Sequence, residues 1–423
     1  MAESCRLSVI VTSRNDDHGR DMLKRFRLFA DGLLEQAARF GLTGELLVVE
    51  WNPAPGPRLH QVLHFKTKVE NFPVRFIEVP LELHETLNNH DKLPLFQMIA
   101  KNVGIRRARG EFVLATNPDL LFTDELIQFL AQGDLDPKAM YRLDRIDVAP
   151  DVPMDCSHAE QIAWCERNVI RINARFGTFP RPTGRWAVAE TALRLFIRGL
   201  GKRFSRVRVA LRKVGGWIAD FAADLVRSIA AHLAGRSPTS WPETLRTAAR
   251  RARDGISYVG AAVLRGLAHE VRSIGRVVER AAPLLAPSIK PHTNACGDFT
   301  LLSRDAWMRL RGYPEFAMYS LHIDSFLCLA AVAVGYEEIE LKAPRKMFHI
   351  EHGRSWVVMD VEEKLQMFAH KPWIDLGLLE EVSNVMNATG EPIHFNGTSW
   401  GFGDRRLPEL TLGAPPQEVP ART

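Results

Sequence analysis

The spacing of apolar residues changes period along the chain, and the first block is a short continuous run, Leu7 to Thr12, that closes on Ser13, Arg14 and Asn15. A run of that length bounded by polar residues reads as a buried strand. From about Gly19 to Phe40 the period lengthens, so that Leu23, Phe26, Leu33 and Ala37 share one side of an amphipathic helix. Glu45 to Glu50 and Val74 to Val79 return to strand-like runs, with the loop Trp51-Asn-Pro-Ala-Pro-Gly-Pro57 after the first of them. A polar stretch at Leu87 to Lys92 leads into a second helix, in which Met98, Ile99, Val103, Ile105 and Ala108 fall at helical spacing and which Gly110 stops. Glu111 to Thr116 is then a fourth strand, broken by Asn117, Pro118 and Asp119. Strand, helix, strand, strand, helix, strand is the order of a nucleotide-binding α/β half.

The break after the fourth strand is where chemistry could sit. Ligands in open α/β sheets bind beyond the carboxyl ends of the strands, so Asp119 is placed to hold a donor or a metal. A plain turn, with Thr123 or Asp124 capping the next helix, remains an equal reading. Residues 140 to 185 show no usable periodicity; within them, Arg145 either faces an anionic ligand or pairs at the surface with Asp144 or Asp147.

Further along, Arg194, Arg198, Lys202, Arg203, Arg206 and Arg208 interleave with apolar residues. Helical stripes follow at Ile218, Phe221, Leu225, Ile229 and Leu233 and at Val263, Leu267, Val271, Ile274 and Val278. Charge sharpens this picture: residues 191 to 290 hold 19 Lys and Arg against 6 Asp and Glu, a net of +13 within a chain of only +5. Basic amphipathic helices suit an anionic membrane surface, at about 1 kcal/mol per basic residue near the headgroups. A helical hairpin that packs its stripes together is the competing reading. Nucleic acid is not expected as a partner, because no binding module accompanies the charge.

Length and composition fit a large globular α/β protein rather than a disordered one. The five cysteines, Cys5, Cys156, Cys165, Cys296 and Cys328, have no paired spacing, which predicts free thiols. With no apolar segment long enough for a leader or a membrane span, the expected location is cytoplasmic, peripheral on the inner face of a membrane if the basic segment meets lipid.

Lys101-Asn102, Gly104, Ala108, Gly110-Glu111 and Asp119 together resemble the helix, strand and DXD turn of family-2 glycosyltransferases with a GT-A fold. Asn117 stands where that motif has its first Asp, and Pro118 fills the middle position. A second set follows the basic segment. His292-Thr-Asn-Ala-Cys-Gly-Asp298, Ser303-Arg-Asp-Ala-Trp307, Gly312-Tyr-Pro-Glu315 and Asp324, which heads a helix ending at Gly335-Tyr336, are similar to the acceptor half of the same family. Ile323 replaces the acidic neighbour of its ED motif.

The resemblance implies an α/β fold of GT-A type, a mixed sheet with flanking helices, plus the largely helical basic insert. Residues 1–189 would bind a nucleotide-diphosphate sugar, 190–290 form the insert, 291–407 bind a glycan or lipid-linked acceptor, and 408–423 trail as a loose tail. Ser13 and Arg14 would line the base pocket, Glu50 would receive base or ribose, and Lys101, Asn102, Asn117 and Asp119 would complete the donor site. Asp324 would be the catalytic base of an inverting displacement, and Asp298 an acceptor contact or a structural acid. Mg or Mn would sit on Asp119 with a late histidine, His349 or His352. The two rings of HxxH on a strand face opposite ways, so the pair is not expected on one ion; His349, nearer the strand, is favoured, a buried hydrogen-bonded histidine is the equal reading, and His352 or Arg354 would instead meet phosphate. A catalytically degenerate scaffold at a membrane surface is the alternative. A nucleotidyltransferase fits less well, since the loop after the first strand, Thr12-Ser-Arg-Asn-Asp-Asp17, lacks a Gly-rich basic character.

Overall fold

The computed structural model describes residues 5–175, 177–180, 250, 291–352, 362, 366, 369–374 and 376–412. The basic insert and its membrane-facing role therefore lie outside the described residues, apart from Arg250, as do Arg354 and the last eleven residues. The stretches on either side of residues 182–288 make one compact unit.

That unit opens with β1 (Leu7–Ser13), α1 (Met22–Phe40), β2 (Gly44–Trp51), α2 (Leu59–Val62), β3 (Val74–Val79) and α3 (Leu81–His84). α4 (Gln97–Arg107), β4 (Phe112–Thr116), β5 (Leu120–Phe122) and α5 (Asp124–Gln132) follow. The stretch that showed no periodicity holds β6 (Ala139–Arg142), β7 (Arg145–Val148), α6 (His158–Arg167), β8 (Val169–Ala174) and β9 (Gly177–Pro180). After the insert come β10 (Phe299–Ser303), α7 (Arg304–Leu310), α8 (Ile323–Ala333), β11 (Glu337–Glu340), β12 (Met347–Ile350), α9 (Leu376–Thr389) and β13 (Glu409–Thr411).

The fold is α/β. Eight strands form a mixed sheet in the order β11-β6-β10-β4-β1-β2-β3-β13, parallel from β4 through β3. β10, from beyond the insert, pairs antiparallel with β4, so the expected donor and acceptor parts share one sheet. A second sheet runs β5-β12-β7-β8-β9. The buried run of β1 serves two layers at once. Leu7, Val9 and Val11 pack with Phe26, Phe29 and Leu33 of α1, while Ile10 packs with Met98 and Val103 of α4. Each such fully buried side chain contributes about 1.5–3 kcal/mol.

Where expectation and structure differ, hydrogen bonding supplies the reason. α1 starts at Met22 rather than near Gly19, because Asp17, Gly19, Arg20 and Asp21 all take left-handed backbone angles. The curled loop is pinned by Arg25, whose guanidinium donates to the carbonyls of His18, at 2.7 Å, and of Arg20. Thr123 precedes α5 but does not cap it; its hydroxyl donates to Pro344 O at 3.1 Å and accepts from Lys346 N at 3.0 Å. The tail expected to be loose from Pro408 instead pairs as β13 with β3. Glu409 there meets the buried Arg75 at 2.8 Å, which also pairs with Glu45 at 2.5 Å. Among the described residues no helix is long and apolar enough to cross a membrane, and all five cysteines are free.

Candidate metal centre

Asp119 lies where the chain passes from one sheet to the other, beyond the end of β4 and directly before β5. Its backbone carbonyl accepts from Ile350 N at 2.9 Å, which ties it to the end of β12. β12 lies between β5 and β7, with His349 opposite Leu120 on one side and Asp147 on the other. This register puts a carboxylate at each ring nitrogen: Nδ1 stands 3.2 Å from Asp147 Oδ1 and Nε2 stands 3.7 Å from Asp119 Oδ2.

His352 joins them. Its Nε2 lies 2.9 Å from Asp119 Oδ2, and the two imidazole centroids are 5.4 Å apart. Opposite-facing rings were expected from strand alternation, and that expectation fails because the strand ends at Ile350. Beyond it the chain turns back toward the loop after β1, where the His18 ring meets His352 edge-on and Gly19 leaves it room. A Cβ on Gly19 would fall 2.3 Å from His352 Nδ1.

One ligand atom from each of Asp119, His349 and His352 lies within 4.8 Å of the others. Their side chains retain 14%, 10% and 20% of their exposure, enough for a cation to reach them. Asp119 Oδ1 is buried without a hydrogen-bond partner, a cost that a cation would relieve. Burial alone would raise the Asp119 pKa, but His349, His352 and Arg25 hold it well below the usual carboxylate range. Burial likewise opposes charge on His349, yet Asp119 and Asp147 outweigh it and raise its pKa. The donor set of two imidazoles and one carboxylate therefore fits a divalent ion.

Among the described residues, two further groups that could hold an ion are already neutralised. Glu351, with Asp147 on the far side of His349, is paired with Arg171, and Asp147 with Arg145 and Arg171. Glu340, near Asp144 and His292, is paired with Arg175 and Lys342.

A second cluster adjoins the first through Arg145, which contacts Asp147 at 2.7 Å and Asp298 at 2.7 Å. Arg145 thus pairs inside the protein, not at its surface. Asp298 also accepts from Asn117 Nδ2, and Asn117 Oδ1 accepts from Gln97 at 2.9 Å. Beside them Lys101 is fully buried and donates to Gly297 O at 2.6 Å. Burial pushes its pKa down to about 8, against the pull of Asp298, Asp324 and Asp119. Asp324, in the first turn of α8, accepts from Gly297 N at 2.7 Å, and burial raises its pKa. Lys101, Asn117, Asp119, Asp298, Asp324 and His349 are thus brought together.

The remaining expected residues form other groups. Ser13 is buried against Met22, 3.5 Å from its sulfur, and Arg14 donates to Asn52 O at 2.6 Å and meets Asp16 at 2.9 Å. Glu50 is buried; both its oxygens accept from Leu59 N, at 3.1 and 3.0 Å, and burial pushes its pKa up to about 7. Asn102 is spent on the loop after α7, bonding Tyr313 N and O and Glu315 Oε1 at 2.8–3.0 Å.

The sequence favoured His349 over His352, did not place both on one ion, and gave Asp147 no role at the metal. The signal for His352 was the shortness of the apolar run ending at Ile350; none marked Asp147, which depends on register. No protein-family profile matches the chain, and no curated protein matches it in sequence.

Proposed function

We propose that this protein is a glycosyltransferase of GT-A type that moves a sugar, with inversion, from a nucleotide-diphosphate donor to a hydroxyl of a glycan or lipid-linked acceptor. The observation that carries the reading is the convergence of Asp119, His349 and His352 at the carboxyl end of β4, where an α/β sheet binds its ligand. A bound divalent cation would neutralise the departing diphosphate. Two imidazoles with one carboxylate favour Mn over Mg, whose preference is for oxygen ligands.

The protein's own part lies in the adjoining cluster. Asp324 takes the proton of the attacking hydroxyl, and burial raises its basicity for that task. Gly297 N orients its carboxylate, and Lys101 holds Gly297 from the other end. Asp298, fixed between Arg145 and Asn117, offers the acceptor a rigid partner. A catalytically silent scaffold of the same fold is the second reading, favoured by Asn117, whose amide is committed to Asp298.

The test is nucleotide release from UDP-, GDP- and dTDP-sugars by purified protein with Mn or Mg. The expected result is turnover with one donor class, supported best by Mn and lowered at least 100-fold in Asp119→Ala and Asp324→Ala. Binding of a donor without turnover would favour the scaffold, and neither binding nor turnover with any donor would overturn both.

A further inference from the structure

Asp147 touches neither the proposed diphosphate nor the expected base, yet two guanidiniums and the His349 ring crowd its carboxylate. It is completely buried in the middle of β7. Two nitrogens lie beside its Oδ1 as ion-pair contacts, Arg145 Nε at 2.7 Å and His349 Nδ1 at 3.2 Å, without in-line hydrogen-bond geometry. Three face its Oδ2: Arg171 Nε at 2.5 Å, Asn173 Nδ2 at 3.0 Å and Arg145 NH2 at 3.3 Å. A carboxylate so surrounded can only accept.

We infer that Asp147 is a positioning residue for the metal centre, which keeps the proton of His349 on Nδ1 so that the Nε2 lone pair is presented to a divalent cation beside Asp119 and His352. An imidazole has one proton to place when neutral, and an acceptor-only neighbour at Nδ1 decides where it goes. Carboxylates that receive the second ring N–H of a metal-binding histidine act in this way, and their loss costs roughly 10–100-fold in metal affinity. The two guanidiniums explain why Asp147 does not compete for the cation itself. Their charges are already spent on it, which leaves Asp119 as the anionic ligand.

The inference rests on the cation part of the proposed function and is independent of sugar transfer. It makes an unusual demand on the isosteric variant. In Asp147→Asn the amide oxygen is drawn to the Oδ2 position, where three donors converge, so the amide N–H falls beside His349 Nδ1. That nitrogen must then accept, the proton moves to Nε2, and the ligand lone pair is lost. Asp147→Ala leaves the ring to choose its own tautomer with water.

The experiment uses the full chain, titrated with Mn followed by electron paramagnetic resonance. Long-range proton–nitrogen correlation spectra of the histidines are recorded on the Zn-loaded protein, with His349 assigned through His349→Ala. The expected results are a His349 protonated on Nδ1 in the unaltered protein, and a 10–100-fold weaker Mn affinity in Asp147→Asn that exceeds the loss in Asp147→Ala. The spectrum of the unaltered protein needs no variant to fold. A His349 protonated on Nε2, or equal affinity in Asp147→Asn, would overturn the proposal, as would an unaltered protein that binds neither ion. Cation binding with the expected spectrum but no sugar transfer supports it and counts against the transferase reading alone.

Discussion

Lys101 and Asp324 grip the same residue from opposite ends: the ammonium donates to Gly297 O at 2.6 Å and the carboxylate accepts from Gly297 N at 2.7 Å. The two side chains come from α4 and α8, more than 200 positions apart in sequence. Because the link runs through a glycine, it tolerates no side chain there. A Cβ on Gly297 would stand 2.9 Å from Asp324 Oδ2 and 3.4 Å from Met98 Cε. Gly297→Ala is therefore expected to displace the Asp324 carboxylate and to lower transfer by tenfold or more, on the order expected for a misplaced catalytic group. Mn affinity, set by Asp119, His349 and His352, should be unchanged; a parallel loss of both would show a general collapse instead.

Lys101→Met gives the same relationship a pH signature. The Lys101 charge lowers the Asp324 pKa against the larger effect of burial, so removing that charge must raise it. The acidic limb of the transfer pH profile should move upward, because the base is protonated over a wider range. A limb that stays in place would dissociate Lys101 from Asp324.

Asn117 carries a prediction that runs against a motif-based repair. Restoring an acid with Asn117→Asp would set a second carboxylate against Asp298, which now receives the Asn117 amide. Like charges at that range are costly when half-buried, so stability at pH 7.5 should fall by roughly 1–3 kcal/mol in urea unfolding, and the loss should shrink near pH 4 as the pair shares a proton. An unchanged unfolding midpoint at pH 7.5 would remove this account of why Asn stands there.

Asn102 is assigned by its bonds to the loop of residues 312–315 rather than to a ligand. Asn102→Ala leaves Tyr313 N without its buried partner and Glu315 Oε1 with Gly401 N alone. The expected cost is on the order of 2–4 kcal/mol of stability, with donor affinity retained in the folded fraction. Lost donor affinity without lost stability would return Asn102 to the donor site.

Glu50 makes stability depend on pH. Its folded pKa is pushed up to about 7 from an ordinary 4.5, so the unfolded chain ionises first. Its favourable contribution is full below about pH 4.5 and is lost as pH rises toward 7, after which it stays constant. Glu50→Gln keeps an acceptor for Leu59 N and has no charge to bury. Relative to the unaltered protein it should gain on the order of 2 kcal/mol between pH 4.5 and pH 7.5 in urea unfolding. A pH-independent difference would show that Glu50 reaches solvent.

The amino-acid sequence by itself determined the α/β half. β1, β3, β4 and α4 lie within a few residues of where their periodicity predicts, because a continuous apolar run or a 3.6-residue repeat is a local signal that burial on both faces of a sheet enforces. It also marked Asp119, through the turn residues that end β4. Tertiary structure alone decided the rest. The strands of residues 139–148 are four residues each and enter different sheets, so neither shows a period of its own. The metal centre required β12 to pair between β5 and β7, which brings His349 to Asp119 and Asp147 across about two hundred positions. His352 required that strand to end at Ile350. Register is set by pairing partners distant in the chain, and apart from the short apolar run that ends at Ile350 nothing local to His349 and His352 records it.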